Sequence, residues 1–164
     1  MIEPNDFRNA TKEEKIEFER SGNSSLRSYG VENTAPQKTI FFFKKDEFSL
    51  LKGVSFNLSN SEIENYHKDL KRMEKITFSA LQKTIDSEMS LDSLSRIQEI
   101  NGTKFYVFET NVTFLDSVGQ KFNLKYIKYN TLLGKTNFMV DGGYIDENDG
   151  EEILNSIKSI NIKN

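Results

Sequence analysis

The dipeptide Asn101-Gly102 lies between two β-prone runs, in SRIQEINGTKFYVFETNVTFL, and constrains the fold more than any other feature of the chain. A two-residue type I′ turn needs positive φ at both central positions, which Asn and Gly tolerate best. The flanking runs must then fold back on each other as antiparallel strands. Downstream the pattern repeats: DSVGQ closes the second strand, KFNLKYIKYNTL supplies a third, LGK turns it and TNFMVDGGYI is a fourth. Four sequential strands joined by short turns predict an antiparallel meander.

Upstream, KTIFFFKKDEFSLLKGVSFNLS offers two apolar runs separated by Lys44, Lys45, Asp46 and Glu47, which reads as a hairpin or two consecutive strands. Gly53 inside the second run suggests a bulge. From Ser61 the period changes. Ser61 and Glu64 have capping-box spacing, and Ile63, Tyr66, Leu70, Met73, Thr77, Leu81 and Ile85 recur at steps of three and four, predicting a long amphipathic helix with a kink near Thr77. Thr11 and Glu14 open a shorter helix over about residues 12–21, docked by Ile16 and Phe18, and residues 22–37 read as a loop. DGEEILNSIKSINI places Ile153, Leu154, Ile157 and Ile160 on one face of a last helix. The strands over 105–114 and 122–129 are apolar at both parities, as if covered on both sides. The expected fold is therefore a single α+β domain over 1–164, with a peripheral segment 1–37 and a core over 38–162. In that core an antiparallel sheet is covered by helices on both faces, a three-layer α/β/α sandwich.

Composition narrows the function classes. The net charge is -3, and residues 1–30 hold six acids and five bases, so the signs are mixed and no basic stripe suited to nucleic acid is present. Thirteen Phe and six Tyr supply core bulk despite 29% charged residues. Without cysteine the chain has no disulfide, thiolate metal site or thiol nucleophile. No apolar run of about eighteen residues suggests a membrane span. MIEPNDFRNATKEEK lacks the layout of a signal peptide, so the start suits a cytoplasmic protein or an exported bacterial one with its leader removed; the second reading, extracytoplasmic, is carried forward.

The order of elements resembles the PsbP-like superfamily of small α/β/α sandwiches. The likeness lies in the opening IEPNDF, in FSLLKGVSFNLSNSEIENY feeding a long helix, in the hairpin with INGTKFYVFE, and in the ending KTNFMVDGGYIDENDGEEILNSIKSINI. It spans roughly residues 38–162. Such domains include photosystem accessory subunits, factors that bind small GTPases, bacterial lipoproteins and secretion-linked chaperones. The resemblance implies a non-catalytic, protein-binding role, and it assigns no binding residue to a position here.

Residues that suggest chemistry have ordinary structural readings. The stretch from 137 to 153 gathers six acids, Asp141, Asp146, Glu147, Asp149, Glu151 and Glu152, with three glycines. In an EF-hand register counted from Asp146, Gly falls one place early and residue twelve is Ile157, so that loop is excluded. A weak cation site on the turn at Asp146, Asn148 and Asp149 stays open. A helix start explains the acids better, with Asp149 and Glu152 as a cap-like pair and Gly142 and Gly143 at a strand-end bend. His67, the only histidine, lacks partners at metal-ligand spacing and reads as a surface helix residue. Lys121, Lys125, Lys128 and Lys135 interleave with Phe122, Tyr126 and Tyr129, but their alternation splits them between two faces of a core strand. Phe41, Phe42 and Phe43 cannot all point to one side, so they form a partner surface unless both faces are covered.

No nucleophile elbow, zinc-protease motif or phosphate loop occurs, and the reading leans away from an enzyme. No catalytic, cofactor-binding or metal-ligating residue is nominated, and no cofactor is expected. The leading expectation is an accessory module that binds another protein through a sheet face, an edge or the 22–37 loop, as a monomer or weak homodimer. The alternatives are a small hydrolase or ligand-binding protein with dispersed carboxylates in a cleft between the long helix and the sheet, and a cytosolic secretion-linked chaperone.

Overall fold

The computed structural model describes residues 1–18, 20, 37–84, 90–115 and 119–162, with the side chains of 80–84 left aside. Seven strands form one sheet: β1 (Arg8–Asn9), β2 (Lys38–Lys44), β3 (Leu50–Asn57), β4 (Ser90–Ile100), β5 (Thr103–Leu115), β6 (Lys121–Leu133) and β7 (Thr136–Tyr144). Their spatial order is β1-β2-β3-β7-β6-β5-β4, and every neighbouring pair is antiparallel. The helices are α1 over 12–18, α2 (Asn60–Glu64), α3 (Tyr66–Thr84) and α4 (Glu147–Lys158).

The meander forms as its turns demand. Asn101 and Gly102 take φ of 49° and 79°, and Ile100 pairs with Thr103 across them. Gly134 at φ 60° makes the turn from β6 to β7. The N-terminal hairpin of β2 and β3 then adds to the free side of β7, with Leu51 opposite Gly142 and Val54 opposite Met139.

The expected three-layer sandwich does not form. Among the described residues the seven-stranded sheet dominates, and four helices prop parts of that sheet without covering it. Leu94 and Ile97 on β4 are 57% and 68% exposed. The apolar residues at both parities are covered in two ways: Phe105 and Val107 face α4 and Tyr106 and Phe108 face α3, whereas near the sheet's far end Phe114 and Phe122 sit directly opposite each other and stack at 5.6 Å, covering each other without a helix.

The core lies on the face that meets α4. Phe43, Leu51, Phe105, Val107, Ile127, Tyr129 and Val140 project from the strands, and Ile153 and Ile157 of α4 are fully buried against them. Each of these two isoleucines contributes roughly 1.5–3 kcal/mol by burial. Phe7, just before β1, joins this core. Gly142 is part of β7 and makes no strand-end bend: a Cβ there would come within 2.8 Å of Ile153 Cγ2, so its bare backbone sets how closely α4 approaches. The bulge expected at Gly53 lies on the partner strand. The β2 register shifts between Thr39 and Phe41, and the Phe41 ring fills the space that a Cβ on Gly53 would occupy.

Several helix ends differ from expectation. The second capping box is Ser59 with Glu62, one turn fraction earlier than Ser61 with Glu64, with Ser59 N–H donating to Glu62 Oε2 at 2.7 Å. The helical segment breaks at Asn65, between α2 and α3, and continues unbroken through Thr77. The cap of α4 is Asp146, which accepts from the backbone N–H groups of Asn148 and Asp149. The box at Thr11 and Glu14 is present as expected. Phe18 docks α1 edge-on against Phe42 at 5.3 Å, whereas Ile16 is 48% exposed. The 22–36 part of the expected loop, Ile85 and the DSV of DSVGQ lie outside the described residues.

Candidate functional site

Because α3 crosses the face opposite α4, it leaves a cleft of ≈ 510 Å³ between itself and the sheet. The helical period predicted from Tyr66, Leu70, Met73 and Thr77 puts these side chains on the cleft wall. The opposite wall comes from alternate strand residues of one parity: Phe56 on β3, Met139 and Asn137 on β7, Asn130 and Lys128 on β6, and Tyr106 and Phe108 on β5.

The floor is polar and enclosed. Tyr66 Oη donates to Asn137 Oδ1 at 2.5 Å, and Asn137 is only 2% exposed. Burial pushes the Tyr66 phenol well above its usual range, so it stays a neutral donor. Asn130 is also buried. Beneath the cleft, Lys128 Nζ stands 3.7 Å from Asp141 Oδ1, an ion-pair distance beyond hydrogen-bond reach. Tyr126 lies against the same carboxylate, and burial followed by the charge of Asp141 raises its pKa. Asp141 and Lys128 are cross-strand partners, which explains why a carboxylate is tolerated in the middle of β7.

At the rim, Glu74 of α3 accepts from both the Ser95 hydroxyl on β4 and the Tyr106 hydroxyl on β5. Burial, and then the hydrogen bond to Glu74, raise the Tyr106 pKa. Two hydroxyl donors aimed at one carboxylate tie the helix to two strands and fix the width of the opening. Glu62, Asp69 and Arg72 complete a charged rim around apolar walls.

The residues singled out in the sequence fall elsewhere. His67 is exposed, its ring edge-on to Tyr66 at 5.5 Å. The acidic stretch is dispersed among separate partners: Asp146 caps α4, Glu147 pairs with Lys125 at 2.6 Å, and Glu152 accepts from Asn5. Asp149 is buried, 2.6 Å from Lys45 Nζ and 2.7 Å from Ser49 Oγ, rather than forming a cap with Glu152. Among the described residues no three His, Cys, Asp or Glu side chains converge as a metal-binding group. The Asp146, Asn148 and Asp149 turn therefore uses its carboxylates internally. Phe42 and Phe43 are buried on opposite faces and Phe41 packs against the core, so 41–43 offers no apolar patch. Lys125 and Lys128 face Glu147 and Asp141, and Tyr129 is buried in the core.

Sequence reasoning foresaw the α3 wall of the cleft but missed its floor. The available signal was Asn130, Asn137 and Asp141, residue types that strands disfavour, at positions of one parity within otherwise apolar runs. No protein-family model matches the chain, and no curated protein matches it.

Proposed function

We propose that this protein is a non-catalytic binding module whose cleft between α3 and the sheet receives an apolar side chain presented by a partner protein. The observation that carries this reading is the pairing of apolar walls with a buried hydrogen-bonding floor, the usual makeup of a recognition pocket. Met73 and Met139 both line it, and their flexible thioethers adapt to inserted shapes. Tyr66, Asn137 and Asn130 supply fixed polar atoms beneath, and the acids and Arg72 at the rim favour a polar segment around the inserted group.

A hydrophobic naphthalene sulfonate dye probes the cleft directly. Saturable one-site binding with raised thermal stability is expected for the natural chain, because a ligand that binds only the folded state shifts the unfolding equilibrium. Met139→Trp, which fills the space, should abolish the binding while the far-ultraviolet circular dichroism is retained. Failure of the dye to saturate, or unchanged binding by a folded Met139→Trp protein, would refute the reading.

A further inference from the structure

The outer edge of β4 is long, and among the described residues no strand pairs with it. β4 runs for eleven residues at the end of the sheet, with Leu94 and Ile97 largely exposed. It contains no Pro or Lys, the residues that commonly blunt such edges. The opposite edge is β1, only two residues long, a short strand of the kind that limits pairing.

The orientation of the free backbone groups follows from the turn. A two-residue hairpin makes Ile100 and Thr103 a hydrogen-bonded pair, so the even-numbered residues of β4 bond to β5. The odd-numbered residues Leu91, Ser93, Ser95 and Ile97 then aim their N–H and C=O groups outward. Even-numbered side chains share the α4 face with Val107, the cross-strand partner of Arg96; odd-numbered ones share the α3 face with Tyr106, the partner of Ile97.

We propose that β4 pairs antiparallel with β4 of a second copy of this chain, about a two-fold axis through Leu94, giving a continuous fourteen-stranded sheet. Side-chain chemistry selects this register. With Leu94 opposite Leu94 of the second copy, Asp92 falls opposite Arg96 of the second copy, twice by symmetry. Leu91 falls opposite Ile97 of the second copy, and Ser93 opposite Ser95. Charges and apolar groups all match. A slip of one pairing step sets Asp92 opposite either Leu94 or Gln98 of the second copy and loses both ion pairs. Asp92 makes no ion pair among the described residues, so its charge is available. Arg96 bonds Glu109 through Nη1 at 2.6 Å and donates from Nη2 to Gln98 Oε1 at 3.2 Å, and its five N–H groups leave donors for a second carboxylate. The odd-numbered residues would exchange about eight backbone hydrogen bonds across the axis. The interface is isologous and lies at the sheet's edge, meeting the cleft rim at Ser95, and it does not rest on the cleft reading.

The absence of cysteine makes the register directly testable. Leu94→Cys places two thiols at a directly opposed, non-hydrogen-bonded pair, where Cα separations suit a disulfide. Mild oxidation should give a covalent dimer of Leu94→Cys, and little or none of Ser95→Cys or of Ile40→Cys on the other side of the sheet. In light-scattering chromatography the natural chain should rise with concentration from its 18.9 kDa monomer mass toward twice that value. Asp92→Arg and Arg96→Asp should each remain monomeric alone and form a heterodimer when mixed, since mixing restores both opposite-charge pairs. A natural chain that stays monomeric at high concentration, crosslinking of Ser95→Cys in preference to Leu94→Cys, or no rescue on mixing the two folded charge variants would each overturn the proposal.

Discussion

At the scale of single residues, the buried polar atoms of the cleft floor are the most sensitive positions. Tyr66→Phe removes the hydroxyl that donates to the Asn137 side-chain oxygen, and Asn137 is only 2% exposed. The cost of leaving a buried acceptor unpaired is about 1–3 kcal/mol, measurable as a lower denaturant midpoint with an unchanged slope. Gly142→Ala should destabilise by a similar amount, about 1–3 kcal/mol, because its Cβ would press on Ile153 Cγ2. Ile153→Leu lacks that branch methyl, so a double-mutant cycle should show partial rescue in thermal unfolding. Such contacts explain why Gly142 was misread. Two adjacent glycines next to an acidic run resemble a bend, and only the approach of α4 shows that one of them is there for the space a side chain would fill.

At the scale of elements, ends and docking contacts decide the outcome. Ser59→Ala should lower stability by about 1 kcal/mol through the loss of the α2 cap. The N-terminal arm carries a pH response. Glu14 is held below its usual range first by the Arg8 guanidinium and next by the Thr11 N–H. Its folded pKa is depressed, so its contribution is present above the unfolded value of about 4.3 and is lost as the pH falls below that. NMR titration of the Glu14 carboxyl should give a midpoint well below the usual glutamate range, and amides near Thr11 should exchange faster once it protonates. The Asn101-Gly102 hairpin, the meander and the box at Thr11 were readable because local backbone chemistry sets them. The break at Asn65 and the Asp146 cap were not, since several nearby residues satisfy the same spacing and tertiary partners choose among them. Lys45 and Ser49 take up Asp149, which leaves capping to Asp146.

At the scale of the whole molecule, the sheet outweighs the helices, and a one-dimensional reading misses this. Apolar residues at both parities are ambiguous between helix cover and cross-strand cover, and the stacked pair Phe114 and Phe122 takes the second route. Likewise, the cleft wall on α3 was legible from its period, whereas its floor depends on the β6–β7 register that brings Lys128 to Asp141 and Asn130 to Met139. Burial raises the pKa of Tyr66, Tyr106, Tyr126, Tyr129 and Tyr144. Raised folded values mean that stability is intact below the unfolded pKa of about 10 and falls as the pH rises beyond it. Near-ultraviolet titration should therefore show these five phenols ionising late, in step with loss of tertiary structure, and not gradually around pH 10.

The seam between β3 and β7 has one more consequence. The meander is built from near neighbours in the chain, but this seam joins strands separated by roughly eighty to ninety residues. Closing so large a loop is entropically costly until the meander exists as a template. This separation predicts that the hairpins assemble early and that the N-terminal pair zips onto β7 as the slow event, seen in pulse-labelled hydrogen exchange as late protection of β2 and β3. A nascent chain on the ribosome cannot complete its sheet until β7 has emerged.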